Sequence, residues 1–319
     1  MSCRAALVFA VSSVAALLGC SPSLSADPVK PAEAPQFAVG ALQADGHLVP
    51  VASFDGHAWV NRWPAVEDAR AGQLDEIGEI PADWSGLARP LSDRWTLHET
   101  GAAPRRIRAI RPAIATNHCG ENFALVTDEP PRTLECDFCC PYPIVGIALD
   151  TDFPAASANS VDPDGPEFER LRDRVEKMFS RLEAEAQRDR APVSGETGST
   201  AKTEFQQVVR FPLASGGALY RVEASRSYPR APDSRDPECP DVSLFSAWIR
   251  DGVLMTEQVT LTDCDMLEGA FVEPLLVLEI GAAAYVVGSR LEYESQAIAV
   301  YEIGASEVRE LTLFLLHAL

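Results

Sequence analysis

Apolar and polar residues alternate loosely from the first ordered-looking stretch of the chain. Phe37–Ala44, Leu48–Phe54 and Ala58–Val60 carry the pattern, with Asp45-Gly46 and Asp55-Gly56 between them. A period of two places one set of side chains on one face of a strand. Asp-Gly suits the positive φ angles of tight hairpin turns. Trp95–His98, Arg105–Ile110, Phe123–Thr127 and Ile144–Leu149 are further short strand candidates, and the Pro and Gly around them mark turns. Residues 64–92 lack a clear period, and a short helix is expected there only near Val66–Ala71.

The pattern changes once. Asp164-Gly165-Pro166 is a helix start, with Glu167 and Glu169 in the first turn. Phe168, Leu171, Val175, Met178, Phe179 and Leu182 then follow helical spacing, before Pro192 ends the run. The polar faces mix Arg with Glu, so this amphipathic helix is expected to pack on its own sheet rather than on a membrane. Residues 191–202 read as a flexible loop. Hairpins then return: Phe205–Pro212 with Ala218–Ala224 around Ser215-Gly216-Gly217, and Leu244–Ile249 with Val253–Leu261 around Asp251-Gly252. Phe271–Ile280, Ala283–Ser289, Ala297–Ile303 and Val308–Leu315 complete a meander.

Serial hairpins without βαβ alternation predict a mostly β fold of antiparallel hairpins, propeller-like or a large sandwich, with one inserted amphipathic α-helix. No repeat of 40–50 residues supports a propeller directly. The expected organisation is a leader over 1–19 and a tether over 20–35. A β-rich segment with Trp and Cys covers 36–150. An acidic loop, helix and flexible loop cover 151–203. A β-meander over 204–319 joins 36–150 in one body.

The N-terminus adds an address. Met1–Arg4 supplies one positive side chain, and Ala5–Leu18 is a 14-residue run without charge. Roughly 20 apolar residues are needed to span a bilayer as a helix, so this run has the length of a signal-peptide core instead. Leu17-Leu18-Gly19-Cys20 follows. This segment resembles the lipobox of bacterial lipoproteins, with Leu three before the cysteine and a small residue just before it. The resemblance covers about twenty residues of the chain. It implies cleavage before Cys20, lipid on the Cys20 sulfur and palmitate-type acylation. It implies a cell-envelope location with the membrane as partner through the N-terminal lipid. Two or more acyl chains make such anchoring stable. By the same resemblance Ser21, standing where Asp would favour the inner membrane, points to the outer membrane in a Gram-negative host. Residues 21–35 are rich in Pro, Ala and Ser and read as the tether.

Charge and cysteine use agree with export. The formal net charge is −20, and one more negative once Arg4 leaves with the leader. Such a polyanion is repelled by phosphate backbones, which excludes nucleic acid as a partner. Six cysteines remain beyond Cys3 and Cys20: Cys119, Cys136, Cys139, Cys140, Cys239 and Cys264. An even number in an oxidising space predicts disulfides. Cys239–Cys264 is the simplest bridge, closing a loop of about 25 residues worth roughly 3 kcal/mol in the chain-entropy model. Cys119 is expected to pair with one of Cys136, Cys139 and Cys140, the choice being open. His118-Cys119 with Cys136-x-x-Cys139-Cys140 also contains zinc-type ligands, but the second arm of a ribbon is missing. Asp137 opposes the low thiol pKa of a redox pair.

The remaining chemistry is sparse. Asp150 and Asp152, Asp162 and Asp164, and Asp263 and Asp265 place carboxylates two apart, a weak calcium signature. An EF-hand frame from Asp162 puts Pro166 at a ligand position, and one from Ser160 puts Leu171 where Glu is needed. Turn formation is the simpler reading. No cofactor is predicted, and calcium is the one ion to consider. G-x-S-x-G, H-E-x-x-H, P-loop and G-x-G-x-x-G patterns are missing from the sequence. His47, His57, His98, His118 and His317 are scattered. Trp59, Trp63, Trp84 and Trp95 crowd the first half and are read as core rather than as a sugar platform. The sequence leans toward a binding or structural envelope protein with an envelope protein or glycan as partner. An envelope hydrolase acting on glycan or peptide, and a calcium-dependent binding module, are the alternatives.

Overall fold

Six strands with inward apolar residues close into a barrel. They are β1 (Phe37–Gln43), β2 (His47–Phe54), β4 (Arg94–His98), β5 (Arg105–Asn117), β6 (Gly120–Thr127) and β7 (Ile144–Leu149), with β3 (Trp59–Val60) attached to β2. The order is β1-β7-β4-β5-β6-β2-β3, and β1 also pairs with β2, which closes the ring. The computed structural model describes residues 34–71, 82–117, 120–133, 143–188, 201–229, 239–263, 272–292, 295–304 and 307–318. Residues 34–319 form one unit, and residues 1–33, where the leader and most of the tether are expected, lie outside the described residues.

Alternation decides what each wall of the barrel does. Ala38, Leu42, Leu48, Trp95, Leu97, Ile107, Phe123, Leu125 and Ala148, from all six strands, meet inside. A barrel this narrow has room only for side chains, and Trp95 at 0 % exposure takes much of it. Two positions in the barrel wall are held to glycine by close approach. A Cβ on Gly40 would stand 2.8 Å from Leu48 Cδ1, and one on Gly146 would stand 2.4 Å from the His98 carbonyl oxygen. Two short helices, α1 (Val66–Ala71) and α2 (Ala82–Ser85), belong to the same region. Ala69, Trp63, Trp84 and Leu87 extend the interior cluster, with the Trp63 and Trp84 rings against Phe123.

The opposite faces of β1, β2 and β7 are also apolar. Phe37, Val39, Ala41, Val49, Val51, Ile147 and Leu149 pack on Leu276, Leu278, Val287, Ile298 and Val300. Those partners belong to a five-stranded sheet of order β17-β16-β15-β14-β8. Its strands are β8 (Ala155–Ser157), β14 (Val272–Ile280), β15 (Ala283–Glu292), β16 (Ser295–Ile303) and β17 (Val308–Ala318). Aromatic rings of Phe37, Phe54, Trp59 and Tyr285 join barrel to sheet at centroid distances of 5.6–6.3 Å.

A second five-stranded sheet, β13-β12-β11-β10-β9, stacks on the far side of the first. It comprises β9 (Asn159–Ser160), β10 (Glu204–Pro212), β11 (Ala218–Tyr228), β12 (Asp241–Arg250) and β13 (Val253–Asp263). Its hairpins use the turns the sequence predicts. Asp251 and Gly252 hold φ of 49° and 76°, the paired positive angles of a two-residue hairpin loop. Helix α3 (Pro166–Arg188) covers the remaining face. It starts where Asp162 Oδ1 accepts from the Asp164 N–H, and it buries Phe168, Val175 and Phe179.

The architecture is therefore mostly β and antiparallel, as the sequence predicts, in the order barrel, sheet, sheet, helix. The sandwich alternative describes the second half, and neither alternative anticipates the barrel.

Candidate functional site

The least ordinary chemistry sits between the two stacked sheets. Along β11, Tyr220, Val222 and Ala224 face α3, while Leu219 faces the neighbouring sheet. Alternation turns Arg221 and Glu223 the same way as Leu219. Their side chains are only 5 % and 7 % exposed. Arg221 donates from Nε and Nη2 to Glu223 Oε1 at 3.2 and 3.0 Å, and its guanidinium lies 5.2 Å from the Trp248 ring centre. Burial pulls the Arg221 guanidinium below its usual range, against the attraction of Glu223. Burial likewise pushes the Glu223 carboxyl up, against Arg221, with the charge of Glu273 adding to the rise. Facing them, burial raises the Tyr301 phenol to about 12, helped by Glu310. A carboxyl held nearer neutrality beside a guanidinium can bind or release a proton, and such groups mark candidate sites.

A second buried network pins α3. Glu183 on the helix is buried and accepts from Arg226 Nη1 at 2.8 Å and from the Tyr228 hydroxyl at 2.7 Å. Arg226 also donates to Ser180 Oγ and Thr203 Oγ1, and its guanidinium lies 4.3 Å from the Phe179 ring centre. Burial, then Glu183, raises the Tyr228 phenol to about 12. Every named partner is engaged, so this network fastens helix to sheet.

The barrel has its own charged fittings. Asp150, just past β7, accepts from the Ala38 N–H at 2.7 Å and from Arg89 Nη2 at 2.8 Å. Burial raises its carboxyl despite these donors. Arg105 joins Glu99 and Glu129, and Arg132 reaches Glu99 as well. His98 is different. It is 4 % exposed, and neither ring nitrogen has a hydrogen-bond partner. Burial lowers its pKa.

The residues singled out by sequence scatter over this frame. Asp152 pairs with Arg106 and accepts from Thr96, partners that the Asp162–Asp164 turn does not share. Asp164 pairs with Arg172. Asp263 ends β13, and Asp265 lies outside the described residues. Among the described residues no group of three His, Cys, Asp or Glu could hold a metal ion. Cys239 is buried and disulfide-bonded. Its expected partner Cys264 lies outside the described residues, as do Cys20, Cys119, Cys136, Cys139 and Cys140. Cys264 follows Asp263, which pairs with Asp241 two residues after Cys239. His47 bonds Asp45, and His57 is exposed in the turn that Asp55 holds. Trp63, Trp84 and Trp95 belong to the barrel core, Trp59 to the barrel–sheet seam and Trp248 to the sandwich.

Sequence reading passed over Arg221 and Glu223. The only trace of them is charge at alternate places in a run whose other members are apolar, Leu219-Tyr220-Arg221-Val222-Glu223-Ala224. That alternation is what a strand with one wet face shows, and only the second sheet makes that face dry. Compared with family models, curated proteins and solved structures, the chain matches none.

Proposed function

We propose that this chain is a lipid-anchored protein of the bacterial cell envelope that binds or supports another envelope component. The observation that carries the proposal is the uncharged run ending in Leu17-Leu18-Gly19-Cys20. Lipid on Cys20 would hold the chain on a membrane, and Ser21 favours the outer one. The tether that follows, Cys20–Pro35, reaches on the order of 50 Å when extended. The folded unit beginning at Ala34 would then stand clear of the headgroups. Two features favour binding over turnover. The buried charges Arg221, Glu223, Arg226, Glu183 and Asp150 are engaged with one another or with the backbone. The eleven-residue strand β13 pairs on one side only among the described residues, which leaves an edge that a partner strand could join. The partner is an envelope protein or glycan, and the strongly negative charge disfavours nucleic acid.

Mass spectrometry of the native product tests the address. The expected N-terminus is Cys20 with acyl chains on it, and Cys20→Ala is expected to move the protein out of the membrane fraction. An intact Met1, or an unmodified Cys20 in the wild-type chain, overturns the proposal.

A further inference from the structure

The strand edges of this molecule are managed unequally. In the barrel, pairing of β1 with β2 removes the edges of the six main strands. The edge strands β3, β8 and β9 are two or three residues long. Edge strand β17 lies against barrel strands β2, β3 and β6. Strand β13 lies against α3 on one face, but among the described residues its outer edge pairs with no strand. It has eleven residues, Val-Leu-Met-Thr-Glu-Gln-Val-Thr-Leu-Thr-Asp, and pairs on one side only, with β12. It carries no Pro and no Lys, and the guards it does have are the register shift at Met255 and the charge of Glu257. Val253 at its start is 58 % exposed.

We propose that β13 pairs antiparallel with β13 of a second copy, about a two-fold axis through Gln258, joining two five-stranded sheets into one. Around that point Thr256 and Thr260 stand symmetrically about Gln258. Thr256 would lie opposite Thr260 of the second copy, Gln258 opposite Gln258, and Glu257 opposite Val259. Thr–Thr pairs and side-chain amides are favourable cross-strand neighbours, and no two like charges face each other. Shifting the axis by one residue toward the N-terminus would set Glu257 against Glu257, which disfavours that register. The register shift opposite Trp248 and Ile249 disturbs the ladder near Met255, so the regular pairing runs from Thr256 to Thr260. A two-fold axis normal to the sheet puts both copies of α3 on one face. There Arg181 is already held by Glu257 and Glu185, and Arg174 by the Gly252 carbonyl. The inference does not depend on lipidation.

The test uses the full chain purified in detergent. Sedimentation equilibrium is expected to show a dimer with a dissociation constant on the order of 10–100 µM, as befits a small interface. Gln258→Lys would place like charges opposite each other at the axis. It is expected to weaken association at least tenfold, while circular dichroism stays unchanged because Gln258 is exposed. Gln258→Cys is expected to join two copies through a short thiol crosslinker, since facing residues stand about 5 Å apart. Thr256→Cys alone is expected not to, because its two copies would be about 14 Å apart. Thr256→Cys mixed with Thr260→Cys should crosslink again. A chain that remains monomeric at the highest concentration overturns the proposal, whether or not β13 then accepts a strand from another protein. A dimer indifferent to Gln258→Lys, or crosslinked equally through Thr256→Cys alone, overturns it as well.

Discussion

The barrel and the sandwich solve the same problem in opposite ways. Both must bury a β surface without leaving polar backbone exposed to other chains. The barrel closes on itself and fills its interior with apolar side chains around Trp95. The sandwich stays open, buries the Arg221–Glu223 pair between its sheets, and leaves β13 along one margin. Closure sets the barrel register through the ring of pairings. An open sheet has no such constraint. A one-residue slip of β11 would turn Arg221 and Glu223 toward α3 and send Val222 and Ala224 between the sheets. The buried pair therefore penalises the wrong register, at the expense of stability.

Three substitutions sharpen that contrast. The largest effect is expected from Trp95→Ala. The ring is fully buried, its indole N–H donates to the Ser92 carbonyl at 3.0 Å, and the closed walls limit collapse. A loss of about 4–5 kcal/mol is expected in urea unfolding. Next comes Arg221→Met, which leaves Glu223 buried without its partner and is expected to cost about 3 kcal/mol. The double variant Arg221→Met, Glu223→Leu should recover most of that loss, because it removes both desolvated charges. If the double variant is no better than the single one, the pair is not the register device described above.

The smallest effect concerns pH. Burial lowers the His98 pKa, so the ring is neutral in the folded chain when it would already be protonated in the unfolded one. The stability it contributes is fully present above the unfolded value of about 6.5. It is lost as pH falls from there through the folded value. Unfolding free energies measured between about pH 7 and pH 5.5 should show this decline in the wild type. In His98→Leu this part of the slope should vanish. An unchanged slope would mean that His98 takes up its proton without cost, despite its 4 % exposure.

Much of the fold was legible because its signals are local. The strands predicted at 37–44, 48–54 and 205–212 appear as Phe37–Gln43, His47–Phe54 and Glu204–Pro212. The helix begins at Pro166, where Gly165 and the acidic first turn place it. Barrel closure was not legible. It depends on β1 pairing with β7, more than a hundred residues away, and periodicity carries no information about which strands meet. The candidate site was hidden for a related reason. Arg221 and Glu223 look like the solvent side of a strand until a second sheet covers them. His98 likewise reads as an ordinary polar residue in a short strand until the chain folds over it.

By itself the sequence determined the hairpin turns, the amphipathic helix and the mostly antiparallel β character, since each rests on residues within one turn, one helix or one strand. Tertiary structure alone decided that the first half closes into a ring, that a charged pair is dry, and that β13 is left at an edge. Those three outcomes depend on what lies across from a strand, and alternation along one strand shows only that something does.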